Sequence, residues 1–432
     1  MALAVVVSLA GIARGYPLTA ALNSMQVVPS NNSTARGSCR IDGQVWGGMP
    51  YPDQSYFDLN CDFSGLSGPL IDADIRSGRA GQNGESFCRR EKQVWVTLPN
   101  NGSGTVTIAC SDYGFEGYWA TKDFHVVLQT SNFPDGEIRG QIKPTILDAD
   151  VNGEGQTEIT VFRPNEGVSY AYCSMTNSTI RKQLDYWNAQ TDSTPFLADL
   201  DGDGIADWTF IRTDPTDGSM LILYKSSRSD QLMGFQFGNA DNGDLHVFAD
   251  YNGDGKIGVV VFRPSTGNWY STEGAFSWGE HWGQTGDTPC AGDYDGDGKT
   301  DLCLVRPVDG HLVWNIRLSS NNFPYTVYWG LATDTIYPRD PVDIDADGFT
   351  DILVSRVEDG KRTFYAFRGL NDPGFALQWG LSTDAVKFGD YDNDGKTDFA
   401  AIRETNNQLV WYIHQSSDGQ LRVNSWGLPG DK

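Results

Sequence analysis

The sequence predicts an all-β protein in two parts, an N-terminal β domain followed by a C-terminal β-propeller, and three observations carry that prediction. An acidic nonapeptide recurs six times at a near-constant spacing, short β-rich apolar runs follow each copy, and the first third of the chain lacks the period. Repetition at about 40 to 50 residues marks architectures in which each unit buries its apolar face against the next.

The clearest copy is Asp293-Tyr-Asp295-Gly-Asp297-Gly298-Lys299-Thr-Asp301. Its four carboxylates have one cationic side chain among them, so balancing charge must come from elsewhere. Acids at loop positions 1, 3, 5 and 9, with glycine at the sharp turn, are how a loop wraps oxygen ligands round a hard cation such as Ca²⁺. A solvated acidic turn uses the same residue types; recurrence favours the metal. The other copies offer Asp150, Asn152, Glu154 and Glu158; Asp199, Asp201, Asp203 and Asp207; Asp250, Asn252 and Asp254; Asp343, Asp345, Asp347 and Asp351; and Asp390, Asp392, Asp394 and Asp398. The third copy has Gly258 at position 9, which makes it the weakest site, and the first substitutes longer or neutral ligands. About five or six Ca²⁺ sites follow. Without the loop acids, a chain of formal net charge −24 would be nearly neutral. The acidity is therefore local, which argues against nucleic-acid mimicry, a nucleic-acid partner or an acidic disordered tail.

Successive copies begin at residues 150, 199, 250, 293, 343 and 390. Five residues beyond each ninth loop position stands an arginine: Arg163, Arg212, Arg263, Arg306, Arg356 and Arg403. Between loop and arginine run ITVF, WTFI, VVVF, LCLV, ILVS and FAAI, which read as buried strands. An aromatic strand follows, then a polar turn and a third strand closing on Trp187-Asn188, Phe237-Gly238, Trp282-Gly283, Trp329-Gly330, Trp379-Gly380 or Trp426-Gly427. With the run entering the loop, each unit has four strands, the blade of a β-propeller. The repeated arginine reads as structural, paired with a neighbouring loop acid or with backbone carbonyls.

Loop, strand, arginine and Trp-Gly in this order resemble the FG-GAP/VCBS repeats of integrin α-chain heads and many secreted bacterial proteins. The resemblance covers residues 144–432 and implies Ca²⁺ in the loop joining the first two strands of each blade. Six units (about 144–190, 191–241, 242–284, 285–334, 335–382 and 383–432) imply six blades, seven being the other count open. An EF-hand is excluded: position 12 of the clearest copy is Leu304 rather than glutamate, and strands flank the loop.

Residues 17–143 form a separate domain. Three stretches, LTAALNSMQVVPSNNSTARGSCRI, LSGPLIDADIRSGRAGQNGESF and FHVVLQTSNFPDGEIRGQI, resemble the CHRD (chordin-like) domain, whose closing motif is matched by Pro134, Gly136, Glu137, Ile138, Arg139 and Gly140. The family fold is a β-sandwich similar to copper/zinc superoxide dismutase, and alternating runs such as GTVTIACSDYG read independently as half-buried strands. Bacterial members often carry His-Ile-His in the middle segment; here Asp74 and Arg76 flank Ile75, which disfavours a histidine metal site and superoxide chemistry. His125, alone in an alternating strand, reads as structural.

Residues 1–16 carry a twelve-residue apolar run, too short to span a bilayer and matched to a signal-peptide core, though no basic residue precedes it. No other stretch is apolar enough for a transmembrane segment. Cys39, Cys61, Cys88 and Cys110 allow two disulfides of open connectivity, and Cys173, Cys290 and Cys303 leave an odd count in the repeats. Disulfides, Ca²⁺ loops and the apolar N-terminus point to a secreted or cell-surface location. None of the five histidines lies in His-Glu-x-x-His, and neither a Gly-x-Ser-x-Gly elbow nor a phosphate-binding glycine loop is present. The reading that follows is a non-enzymatic, calcium-stabilised structural or adhesion protein. Its partner is an extracellular protein, a glycan or copies of itself. The alternative is an extracellular carbohydrate-active enzyme, a polysaccharide lyase or hydrolase on a propeller scaffold. Its thirteen tryptophans could stack on sugars, but five recur at one blade position and read as core.

Overall fold

The computed structural model describes residues 18–23, 33, 35–41, 54–77, 86, 91–97, 104–113, 124–144, 149–152, 156–173, 177–184, 186–202, 205–227, 229–253, 256–272, 279–369, 374–392 and 394–432. The N-terminal apolar run, Cys88, the side chain of Cys110, and the loop residues Glu154, Asp203 and Asp254 lie outside them.

The chain is all-β. Its first eight strands are β1 (Leu18–Asn23), β2 (Arg36–Ile41), β3 (Gln54–Ser64), β4 (Leu70–Ser77), β5 (Glu91–Thr97), β6 (Gly104–Tyr113), β7 (Phe124–Thr130) and β8 (Ile138–Pro144). They hydrogen-bond in the single order β4-β7-β8-β1-β2-β3-β6-β5, antiparallel throughout. Successive side chains of a strand point to opposite faces, and every second residue is apolar: Leu59, Cys61 and Phe63 in β3, Ala73 and Ile75 in β4, Val106 and Ile108 in β6, Val126 and Leu128 in β7. All of these join one core cluster, although β4 and β6 lie near opposite ends of the hydrogen-bonded order. The two layers of the expected sandwich are thus opposite halves of one curled sheet. A disulfide between Cys39 and Cys61, directly opposed on β2 and β3, crosses that core.

The other face of β4, β7 and β8 carries buried polar groups beside Val127. Arg76 sits opposite His125, Asp74 pairs with Arg76 at 3.2 Å and accepts the Ser86 hydroxyl at 2.8 Å, and His125 and Arg139 are 0% and 1% exposed. The closing motif has its own tie: buried Glu137 accepts Ser33 Oγ, the Ser67 N–H and Thr130 Oγ1 at 2.6–2.7 Å.

From residue 159 the strands group into short antiparallel sheets. The first holds β9 (Ile159–Arg163), β10 (Val168–Cys173) and β11 (Ser178–Gln183); the second β12 (Phe196–Ala198), β13 (Asp207–Thr213), β14 (Ser219–Lys225) and β15 (Leu232–Asn239). The third holds β16 (Leu245–Ala249), β17 (Gly258–Arg263), β18 (Asn268–Ser271) and β19 (Glu280–His281); the fourth β20 (Thr288–Cys290), β21 (Leu302–Val308), β22 (His311–Arg317) and β23 (Pro324–Leu331). The fifth holds β24 (Thr335–Ile336), β25 (Ile352–Glu358), β26 (Lys361–Phe367) and β27 (Phe375–Leu381); the sixth β28 (Ala385–Gly389), β29 (Asp398–Thr405), β30 (Gln408–His414) and β31 (Leu421–Ser425).

Runs such as Val259-Val260-Val261-Phe262 are buried along their whole length because neighbouring sheets cover both faces. One apolar cluster joins Val260, Phe262 and Trp269 to Ala291, Leu302 and Leu304 of the following unit; another joins Val305, Trp314 and Ile316 to Ile352 and Val354. The same relation links the last sheet to the first, where Ala400, Trp411 and Ile413 pack with Ile159 and Val161.

The first sheet has three strands among the described residues. Its β9 edge is met by two segments: Phe162 and Lys432 exchange two main-chain hydrogen bonds at 2.8 Å, and the Glu158 N–H donates to the Ala149 carbonyl. Five of the six units close on glycine because the turn there takes a positive φ, 94° at Gly330, that other residues rarely adopt; the first closes on Asn188. A Cβ at Gly330 would meet Leu312 and Val354 at 3.1 Å, the latter in the next sheet.

Candidate metal centres

From the second unit on, each acidic loop joins the first two strands of its repeat sheet, the first loop leads into β9, and each turn is built by its own acids. The position-1 carboxylate points inward and accepts main-chain N–H groups of positions 5 and 6. Asp293 takes Asp297 and Gly298 at 3.1 and 2.7 Å, Asp343 takes Asp347 and Gly348 at 3.1 and 2.9 Å, and Asp390 takes Asp394 and Gly395 at 3.0 and 2.8 Å. Asp199 and Asp250 accept from Gly202 and Gly253. Position 9 staples the loop: Asp207, Asp301, Asp351 and Asp398 accept the position-2 N–H of Leu200, Tyr294, Ile344 and Tyr391. In the first loop Glu158 takes that role toward Val151 and also accepts the Asn152 amide.

In four loops one oxygen from each of three carboxylates falls within 4.8 Å of the others. The groups are Asp199, Asp201 and Asp207; Asp293, Asp295 and Asp297; Asp343, Asp345 and Asp347; and Asp390, Asp392 and Asp398. The first and third loops form no such group among the described residues.

Crowding acids at buried positions disfavours their charged forms. Burial pushes Asp301 up to about 8 and Asp351 up to about 9, with neighbouring loop acids adding to both. Asp343 and Asp390 rise to about 7, and Asp295 and Asp398 to about 6, again chiefly by burial. An all-oxygen, mostly carboxylate donor set with this unmet negative charge fits a hard divalent cation such as Ca²⁺.

The hairpin after the third strand closes over the loop with paired serines, a feature the sequence reading passed over. Ser319 Oγ donates to Asp297 and Ser320 Oγ to Asp295, while the Ser319 N–H reaches Asp301. In the sixth unit Ser416 binds Asp394 and Asp398, and Ser417 binds Asp392; in the second, Ser226 Oγ reaches Asp201 and the Ser227 N–H Asp207. The signal was a Ser-Ser dipeptide near eighteen residues past position 9. The fifth unit departs from it: Gly369 stands there, and the guanidinium of Arg368 lies 3.5 Å from Asp345.

The loops are tied to one another. Position 8 of each donates its N–H to the position-1 carbonyl of the loop before: Ala206 to Asp150, Ile257 to Asp199, Thr300 to Asp250, Thr350 to Asp293 and Thr397 to Asp343, at 2.7–2.9 Å. Thr157 does the same to Asp390, linking the first loop to the sixth.

The repeated arginines are structural, but their partners are not loop acids. Arg212, Arg263, Arg306, Arg356 and Arg403 pair with Asp192, Asp244, Asp287, Asp334 and Asp384 at 2.7–2.8 Å, and Arg163 with Asp431 at 2.9 Å. These aspartates follow the closing step of a unit, five residues past the tryptophan in five cases and seven past Phe237 for Asp244, and accept a nearby N–H such as Leu331 to Asp334 or Leu428 to Asp431. Burial alone would raise the Asp334 and Asp384 carboxyls; the arginine and the turn N–H outweigh it and hold both below the usual range.

The described fold is that of an all-β protein whose second part is a series of acidic-loop repeat sheets. Residues 18–142 match the family model of the CHRD domain, and residues 250–304 and 293–354 match that of the FG-GAP-like repeat. The chain thus joins a CHRD domain to FG-GAP-like repeats. No curated protein and no solved structure matches it. The hydrogen-bond pattern of the matched loops at Asp250, Asp293 and Asp343 extends to those at Asp150, Asp199 and Asp390. Asp74 and Arg76, where a histidine pair would hold a metal, form an ion pair instead.

Proposed function

We propose that residues 144–432 form a six-bladed propeller, rigidified by Ca²⁺ in its acidic loops, that serves a secreted or surface-displayed protein as a structural or adhesion module. The observation that carries this reading is the convergence of three carboxylates within 4.8 Å in each of four loops. Asp199, Asp201 and Asp207, with their counterparts around Asp293, Asp343 and Asp390, would hold the ions. A bound cation supplies the positive charge that the loop lacks.

Closure of the ring is supported by the contacts of the first unit with the last, where Asp431 gives Arg163 the partner that each other arginine receives from the turn about twenty residues before it. The CHRD and FG-GAP-like matches and the Cys39–Cys61 disulfide fit an extracellular, adhesion-type protein. No helix among the described residues is long and apolar enough to cross a membrane. We assign no catalytic role: the loop acids are committed to turns and the arginines to ion pairs. Its partner is a protein or glycan outside the cell, or a second copy of the chain. Calcium-dependent binding of the full chain to cells or to itself, abolished by chelator, tests the role; binding unaffected by chelator contradicts it.

A further inference from the structure

We infer that Cys290 and Cys303 form a second, reversible disulfide that closes covalently round the fourth acidic loop. Cys290 ends β20 and Cys303 opens β21 one residue in, directly opposite it in the antiparallel register. Directly opposed residues of such a pair have Cα atoms about 4.5 or 5.5 Å apart, inside the range of about 4.4–6.8 Å that a disulfide spans. Both side chains sit in one apolar cluster, 2% and 0% exposed. The same register relation, Cys39 opposite Cys61, carries the disulfide of the N-terminal domain. Cys173, the third free thiol, lies on β10 opposite Ser178 in another sheet and does not compete.

The bond would enclose Asp293, Asp295, Asp297 and Asp301 in a covalent ring, so that the strands flanking the loop cannot part. A low-molecular-weight disulfide such as oxidised glutathione supplies the oxidising equivalents. One cysteine thiolate attacks it, forming a mixed disulfide and releasing one thiol; the second cysteine attacks the mixed disulfide and releases the other. The protein loses two S–H bonds and gains one S–S, the oxidant's S–S is reduced to two thiols, and the two protons pass to the departing thiolates. Because both sulfurs are buried, exchange takes place as the unit folds or when three-residue β20 opens.

The test uses the full chain, refolded in a glutathione redox buffer with and without EDTA, alkylated under denaturing conditions and digested with trypsin. Cleavage after Lys299 places the two cysteines on different peptides. The expected result is a linked pair that carries both and separates on reduction, together with a melting temperature that rises on oxidation in the wild type but not in the double variant Cys290→Ala, Cys303→Ala. Recovery of both cysteines alkylated, or of either joined to Cys173, overturns the assignment. The linked peptide is read in EDTA as well, so its failure is separate from failure of the calcium reading.

Discussion

The Thr157 N–H donates to the Asp390 carbonyl at 2.9 Å, and the Thr157 hydroxyl accepts the Asp390 N–H at 2.9 Å. This reciprocal pair joins the first acidic loop to the sixth across most of the repeat region. It repeats the contact between adjacent loops, as where Thr350 holds Asp293 and Thr397 holds Asp343. The main-chain half of the contact recurs at all six junctions, and the threonine hydroxyl adds the second half at these three.

If the last residues complete the first unit, the ion pair they form should matter as much as its counterparts. Asp431 is 2% exposed and Asp384 0%, each against a partly exposed arginine. Removing one partner of a pair so placed costs about 2 kcal/mol after allowance for the solvent at the guanidinium. Asp431→Ala and Asp384→Ala should therefore lower stability by similar amounts in denaturant unfolding. A negligible cost for Asp431→Ala alone would mean that the Arg163–Asp431 pair is not equivalent to the others.

The metal-free protein should have an inverted pH dependence at neutral pH. Asp301, Asp351, Asp343 and Asp390 titrate at about 8, 9, 7 and 7 in the fold, above their unfolded range. The folded state then holds protons that the unfolded chain has released, so stability falls as pH rises from about 4 through those values. Asp192, Asp334 and Asp384 are held low, with the opposite sign: their contribution is present above the unfolded range and lost as pH falls through the folded value. In EDTA the melting temperature should peak near about pH 5 and decline toward pH 8. Saturating Ca²⁺ should flatten that decline, because the ion favours the charged carboxylates. A metal-free melt that rises steadily from pH 5 to 8 would show that these acids are not under mutual strain.

The fifth loop should bind its ion more weakly than the fourth or sixth. Arg368 already places a positive charge 3.5 Å from Asp345, where the other two units offer serine hydroxyls. A guanidinium at that range opposes a second cation, and at the effective dielectric of a partly exposed site its removal is worth on the order of tenfold in affinity. Arg368→Ser should tighten one class of site in calcium titration calorimetry and leave the others unchanged. An unchanged isotherm would assign Arg368 a packing role against Phe375, which it also covers.

The elements legible in the sequence were those written locally. The nine-residue loops, the apolar runs ending in arginine and the Trp-Gly steps each lie within a few residues, and each appears as loop, strand and positive-φ turn. What was not legible depends on register between distant segments. Loop acids and backbone carbonyls are the arginine's partners to expect from its neighbourhood in sequence, whereas the aspartate it pairs with lies about twenty residues earlier, or at Asp431 for Arg163. The serine clasp was hidden because a Ser-Ser dipeptide in a polar turn has no signature until the hairpin folds back over the loop. The odd count of Cys173, Cys290 and Cys303 leaves any pairing open in sequence, and only the β20–β21 register sets Cys290 opposite Cys303. For the N-terminal domain, alternation located the strands, but the single continuous order from β4 to β5 is a property of long-range pairing.

Calcium dependence of the melt is the most direct measurement. Four sites each filled at about ten times their dissociation constant contribute roughly 1.4 kcal/mol apiece, which in a region of this size shifts the melting temperature on the order of 10 °C. Differential scanning calorimetry of the full chain in millimolar Ca²⁺, in Mg²⁺ and in EDTA should show that shift for Ca²⁺ over EDTA, with metal analysis finding bound calcium in the stabilised sample. A melt that is the same in Ca²⁺ and EDTA, from protein shown to be metal-free at the outset, would contradict the cation-stabilised repeat.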